Sequence, residues 1–228
     1  MDERILDTTL DTVERELAAG RTPDLRALGF WRAVNAVKRD PSFVSRYADR
    51  IARIDRDAFR RAVPLRLPAA VGVPLLVVGL VVGLALLMVG ATLTHPWREL
   101  AILVGFGALD TTTHGLAHFV VGSLAGIRFT DWFVDLPKKP QPGLKIDYAS
   151  YLRAPARRRA WMHASGAIVT KITPFIVLVY ATSVGADWWA TLILAVVGAL
   201  QIITDAVFSV KTSDWKKYRR EMKLARAS

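Results

Sequence analysis

Cysteine is absent from the 228 residues. That removes disulfides, thiolate metal sites and cysteine nucleophiles, and leaves His, carboxylate and water to hold any metal. A basic start followed by an apolar run is also missing. Met1 to Gly20 is acidic and amphipathic, so no cleaved signal peptide is expected. Histidine is scarce: four in the chain cannot supply the ligand set of a membrane di-iron desaturase. Finally, two short links, Thr94 to Pro96 and Gly185 to Asp187, contain neither Lys nor Arg.

What is present is apolar sequence. Hydrophobic residues make up 52% of the chain, which places it in the membrane class. Four apolar runs, Leu67 to Leu93, Trp97 to Ile127, Ala160 to Val184 and Trp188 to Val210, each reach the roughly 20 residues needed to cross a bilayer. Apart from Arg98 and Lys171, the basic residues that give a formal charge of +11 lie between and beyond these runs, with Arg128, Lys138, Lys139, Lys145, Arg153 and Arg157 to Arg159 in the middle loop. By the positive-inside rule both termini and that loop face the cytoplasm, in an inner or plasma membrane. The charge is then a signal of topology and of attraction to anionic headgroups. No basic motif interleaved with aromatics is present, so nucleic acid is not an expected partner.

Before the first run, Leu6, Leu10, Val13 and Leu17 repeat at helical spacing up to Gly20. Thr22-Pro23 reads as the cap and first turn of a second helix carrying Leu25, Leu28, Trp31 and Val34. Asp40-Pro41 opens a third, with Val44, Tyr47, Ile51 and Ile54 on one face and arginines near the other. Gly79 and Gly83, and again Gly122 and Gly126, stand at GxxxG spacing and predict close helix packing. Phe129 to Pro155 mixes aromatics with Pro137, Pro140 and Pro142, which excludes a single helix. It reads either as a hairpin or re-entrant element beside the membrane site or as a plain connector. The expected fold is an all-α polytopic membrane protein with about four spans. Residues 1–65 form an amphipathic helical appendage, 66–211 the membrane domain with its loop at 128–159, and 212–228 a basic tail.

The chemistry concentrates in the second run. Asp110, His114 and His118 follow one another at i, i+4 spacing and share a helix face. Ionisable groups at membrane depth are costly unless they meet a partner, a metal or a water-filled cavity. Asp205 in the fourth run lies as far from Trp188 as His114 lies from Trp97, hence at similar depth. Two imidazoles and a carboxylate from another helix make a three-ligand site with a fourth position free, which suits zinc best and iron(II) less well. The alternatives are a hydrogen-bonded packing cluster, or a proton or metal relay through Asp110, His114, His118 and Lys171. Lys171 is expected to pair with Asp110 or Asp205. His163 reads as interfacial and His95 as solvent-facing.

His114-Gly-Leu-Ala-His118 on one span, a Gly-centred span after it and a later Asp together resemble the site-2 protease family of intramembrane zinc metalloproteases. That family carries His-Glu-x-x-His, a Gly-Pro-x-x-Asn segment and an Asp-Gly. The resemblance covers about Trp97 to Val210. It implies His114, His118 and Asp205 as zinc ligands, Ala164 to Thr170 in place of the Gly-Pro segment with Thr170 for its Asn, and a membrane-protein substrate. The departures are Gly115 for the catalytic Glu, Ala167 for the Pro and Ala206 for the Gly after the Asp. Asp110 is the nearby carboxylate that could act as a substitute base, a ligand or an orienting group. The resemblance thus implies either a divergent zinc metallopeptidase or a pseudoprotease that serves as a scaffold or partner-binding subunit.

Overall fold

In α1, Glu3–Ala18, the four repeated apolar residues are all buried. The helix runs out at Gly20, whose φ of +78° lies in the left-handed region. The computed structural model describes residues 2–135, 139–207 and 213–227, with 139–141 and 205–207 described by backbone alone. The expected restart at Thr22-Pro23 is corrected: residues 25–29 form turns, and α2 spans Phe30–Val37. Locally, the Asp24 carboxylate accepts the N–H groups of Arg26 and Ala27 at 2.9 and 3.0 Å, and this side-chain turn competes with the helix. Leu25 and Leu28 still pack on the core from the turn.

Asp40 caps α3, Pro41–Ala62, by accepting the Ser42 N–H at 2.8 Å. Its Tyr47, Ile51 and Ile54 close a core with α1, α2 and Leu152. Arg50 ties α3 to Asp7, Asp11 and Glu14 of α1.

A short strand, β1 (Arg66–Pro68), leads into α4, Ala69–Gly90, and α5, Trp97–Leu124. These two helices cross at their glycines. A Cβ on Gly79 would lie 2.5 Å from Thr112 Cγ2, and one on Gly83 would lie 2.8 Å from Leu109 Cγ. The first GxxxG pair therefore serves packing within the chain. The middle loop is ordered as β2 (Phe129–Asp135) and β3 (Lys139–Ile146), which with β1 form an antiparallel sheet in the order β1-β2-β3. The all-α expectation is corrected to that extent. The aromatic and β-branched residues of β2 favour a strand, and Pro140 and Pro142 deny the segment a helix. Of the two readings of this loop, the hairpin is the one observed. Trp132 of β2 packs on α4 where Gly72 leaves room for it.

After the sheet come α6 (Tyr148–Arg153), α7 (Ala156–Ser183), α8 (Trp188–Val207) and α9 (Asp214–Ala225). The helices α4, α5 and α7 are long and apolar enough to cross a membrane. In α8, Trp188–Thr204 is a shorter apolar stretch, and the end of the fourth expected span, to Val210, lies outside the described residues. Val78, Met88, Val104, Ile176, Val179 and Leu192 are exposed on these four helices, as an apolar solvent would require. The basic tail is a docked helix: Tyr218 of α9 packs edge-on to Trp161 of α7, with ring centroids 5.7 Å apart.

Two buried or half-buried ion pairs fix the N-terminal helices to the sheet end of the molecule. Lys145 of β3 reaches Asp55 at 2.6 Å, and Arg56 reaches Asp147 at 3.2 Å.

Candidate metal centre

The i, i+4 spacing of His114 and His118 on α5 brings their rings into edge-to-face contact, with centroids 4.7 Å apart. Each ring is held at Nδ1 from α7. His118 Nδ1 lies 2.6 Å from the Met162 carbonyl, and His114 Nδ1 lies 2.9 Å from Thr170 Oγ1. A carbonyl only accepts, so His118 carries its proton on Nδ1. The Thr170 hydroxyl donates to Gly166 O at 2.9 Å, which leaves it as an acceptor for His114 Nδ1–H. In its neutral form each imidazole therefore presents an Nε2 lone pair, and an imidazolium at His118 donates Nε2–H to Asp214 instead.

Those two nitrogens converge on one oxygen. Asp214 Oδ2, from the first turn of α9, is 3.2 Å from His118 Nε2 and 3.6 Å from His114 Nε2. With both rings neutral, three lone-pair donors face each other in a half-buried site and repel unless a proton or a metal cation lies between them. Zinc bonds of about 2.0–2.2 Å at tetrahedral angles separate ligand atoms by about 3.3 Å, and the observed separations bracket that value. The site is also shaped for the ring: a Cβ on Gly166 would lie 2.3 Å from His118 Nε2. Nitrogen and carboxylate donors, fixed tautomers and a cradle that only glycine leaves open all fit a zinc-like ion.

The third ligand expected from the sequence was Asp205. It falls at the end of α8, and its side chain lies outside the described residues. The carboxylate that the described residues bring to the histidines is Asp214. Ser213 caps α9 and Asp214 occupies its first turn, a cap-and-acid pattern visible in the sequence but hidden within a basic tail. Burial alone would raise the Asp214 carboxyl. Positive charge at His118 Nε2, whether a proton or a bound cation, and the Lys217 ammonium, 3.0 Å from Oδ1, outweigh it and hold the group well below the usual carboxylate range.

The remaining expected residues take other places. Asp110 turns toward α8, where it accepts from Gln201 Nε2 at 3.1 Å. Lys171 donates to Ala167 O at 3.2 Å and stands 5.7 Å from the Trp215 ring centre. Gly115 is buried against α4, and a Cβ there would lie 3.0 Å from Leu76 Cδ1. His95 is exposed, as expected, and pairs with Asp187 at 2.7 Å. With buried Glu99 it ties the two outer links together.

His163, expected at the interface, packs inside the protein at the start of α7. It is buried, with Nε2 2.9 Å from the Tyr151 hydroxyl. That hydroxyl donates to Glu221 at 3.0 Å, and Glu221 also receives Lys38 Nζ at 2.6 Å and Arg159 Nε at 2.7 Å. This buried cluster joins α2, α6, α7 and α9. Its charged members come from segments hundreds of atoms apart in sequence, and no local spacing announces it.

Comparison with family models, with curated proteins and with solved structures finds no match for this chain.

Proposed function

We propose that this chain is an integral membrane metalloprotein of site-2-protease type whose zinc centre is formed by His114, His118 and Asp214. In this reading the centre binds metal without peptide hydrolysis. One observation carries it: with both Nδ1 atoms engaged from α7, two Nε2 atoms converge on one shared carboxylate oxygen. The metal when bound supplies a Lewis acid that can acidify a water molecule. Peptide cleavage also needs a group to take the water's proton and pass it to the leaving amine. Gly115 offers none, and Leu76 occupies the space into which a longer residue 115 would project. Asp110, the candidate substitute, is engaged by Gln201.

Without a base, the centre acts as a clasp. It fastens α9 to α5 and α7, and Glu221 fastens the same helix to the N-terminal helices. The protein then serves as a membrane scaffold or partner-binding subunit, with both termini and the basic middle loop on the cytoplasmic side by the positive-inside rule.

Elemental analysis of the detergent-purified full chain tests the reading. One equivalent of zinc is expected in wild type, with loss in His114→Ala/His118→Ala. No cleavage of membrane-embedded peptides is expected from the zinc-loaded protein. Zinc retained by the double variant would refute the centre, and turnover that depends on His114 would refute the non-hydrolytic role.

A further inference from the structure

A cavity of about 960 Å³ opens where the N-terminal helices, the α6–α7 corner and the second half of α9 meet. Its size is that of a small-molecule site. Six cations line it: Lys38 and Arg39 after α2, Arg153 and Arg159 at the α6–α7 corner, and Arg220 and Lys223 on α9. Among the described residues no Asp or Glu lines it.

Two carboxylates outside the lining, buried Glu221 and exposed Asp49, offset part of this charge. Glu221 pairs with Lys38 and Arg159, and Asp49 pairs with Arg153 at 2.6 Å. Six cations against two carboxylates leave a surplus of four. Arg39, Arg220 and Lys223 are exposed and make no ion pair among the described residues. They approach the same space from two separate parts of the chain. Such a gathering of like charge opposes folding unless a counter-charge joins it. The surplus also acts on the wall itself, since Arg159 and Arg220 add to burial in lowering the Lys38 ammonium to about 8. Asn35 and Ser45 add neutral polar groups to the lining.

We propose that this cavity is a binding site for a polyanionic phosphate ligand, held by Arg39, Arg220 and Lys223 against the Lys38–Glu221–Arg159 wall. Guanidinium groups bond phosphate oxygens through paired N–H donors, and a ligand with two to four negative charges offsets half or more of the surplus. Two sources carry that chemistry, a soluble di- or triphosphate and the diphosphate headgroup of a bilayer lipid. The site opens beside the start of α7, so both can reach it. Occupation would cross-link α9 to the N-terminal helices and so brace the helix that bears Asp214.

Binding to the detergent-purified full chain is measured with two probes, inorganic pyrophosphate in solution and cardiolipin in mixed micelles. At least one is expected to bind. The triple variant Arg39→Ala/Arg220→Ala/Lys223→Ala should weaken that binding by about tenfold or more, since three charge-assisted contacts are lost. These side chains are exposed, and an unchanged thermal transition verifies that the variant folds. Binding of pyrophosphate alone identifies a soluble ligand, binding of cardiolipin alone a headgroup, and either supports the site. If neither probe binds, or if binding survives the triple substitution, the proposal is overturned. The inference does not rest on the metal: His114→Ala/His118→Ala should still bind the probe, more weakly only by the degree to which α9 loosens, and the triple substitution should abolish that residual binding.

Discussion

Asp214 and Glu221 lie two turns apart on α9, and each ends against a different part of the molecule. Asp214 meets the histidines of α5. Glu221 is buried between Lys38 after α2 and Arg159 of α7. One twelve-residue helix thereby joins the membrane helices to the N-terminal core. A substitution at either residue should loosen both ends of α9, by different amounts.

Glu221→Gln keeps the shape and removes the charge, which strands Lys38 and Arg159 in a buried setting. Breaking one partner of such a group costs about 3–5 kcal/mol. The expected result is a lowered thermal transition in detergent and faster proteolysis within residues 213–227. A transition equal to that of wild type would mean that desolvation already cancels the ion pairs.

The same cluster sets an acid dependence. Burial pushes the Glu221 carboxyl up, but the charges of Lys38 and Arg159 and their hydrogen bonds prevail and hold it at about 2, below the ordinary 4.5. The folded state therefore binds this proton more weakly than the unfolded state. The stabilisation is complete above pH 4.5 and is lost as pH falls toward 2, about 3 kcal/mol in all. The stability difference between wild type and Glu221→Gln should shrink across that window. Lys38 has the opposite relation to its surroundings. Its ammonium is pushed down to about 8, chiefly by burial, so between pH 8 and 10.5 its contribution to stability rises with pH. Denaturation midpoints at pH 7 and 9.5, compared between wild type and Lys38→Met, measure it.

The choice of third ligand is decided by two single variants. Asp214→Asn removes the charge that faces both Nε2 atoms, and zinc content should fall well below one equivalent. Asp205→Asn should leave it unchanged. The reverse pattern would restore the ligand expected from the sequence. Neither result depends on any peptidase activity.

The two histidines were legible in the sequence because i, i+4 spacing on a helix is a local property, and the same holds for the apolar faces of α1 and α3. Thr170 stands out only through the family resemblance, and no spacing in the sequence announces the contact of its hydroxyl with His114. Asp214 was not legible, because depth along a span favoured Asp205 and the tail's charge masked the capped turn at Ser213. The sheet was half legible: prolines excluded a helix, but pairing of β2 with β1, more than sixty residues earlier, is a non-local fact. The Glu221 cluster joins residues 38, 151, 159 and 221, and only the tertiary fold shows that these charges meet.

Gly115→Glu asks whether the missing base can simply be put back. In the observed packing a Cβ at this position already approaches Leu76 to 3.0 Å, and a carboxylate would be driven into the apolar α4–α5 contact. The expected outcome is loss of stability by about 2 kcal/mol or more without any peptide cleavage. Gly115→Glu combined with Leu76→Ala makes room and tests whether space alone blocks the chemistry. Zinc-dependent cleavage by the single variant would show that α4 yields to the new side chain.

Gly166 and Thr170 separate shape from hydrogen bonding at the same ring pair. A methyl on Gly166 would lie 2.3 Å from His118 Nε2, so Gly166→Ala must push that imidazole off α7. Thr170→Val keeps the volume but removes the oxygen that accepts from His114 Nδ1, freeing the ring to turn and change tautomer. Loss of such an orienting partner costs a metal site about 10- to 100-fold in affinity. Both variants should therefore weaken zinc binding in competition with a chelator. Thr170→Ser, which retains the hydroxyl, should recover most of the affinity lost in Thr170→Val. Equal weakening by Ser and Val would show that the methyl packing of Thr170, and not its oxygen, positions His114.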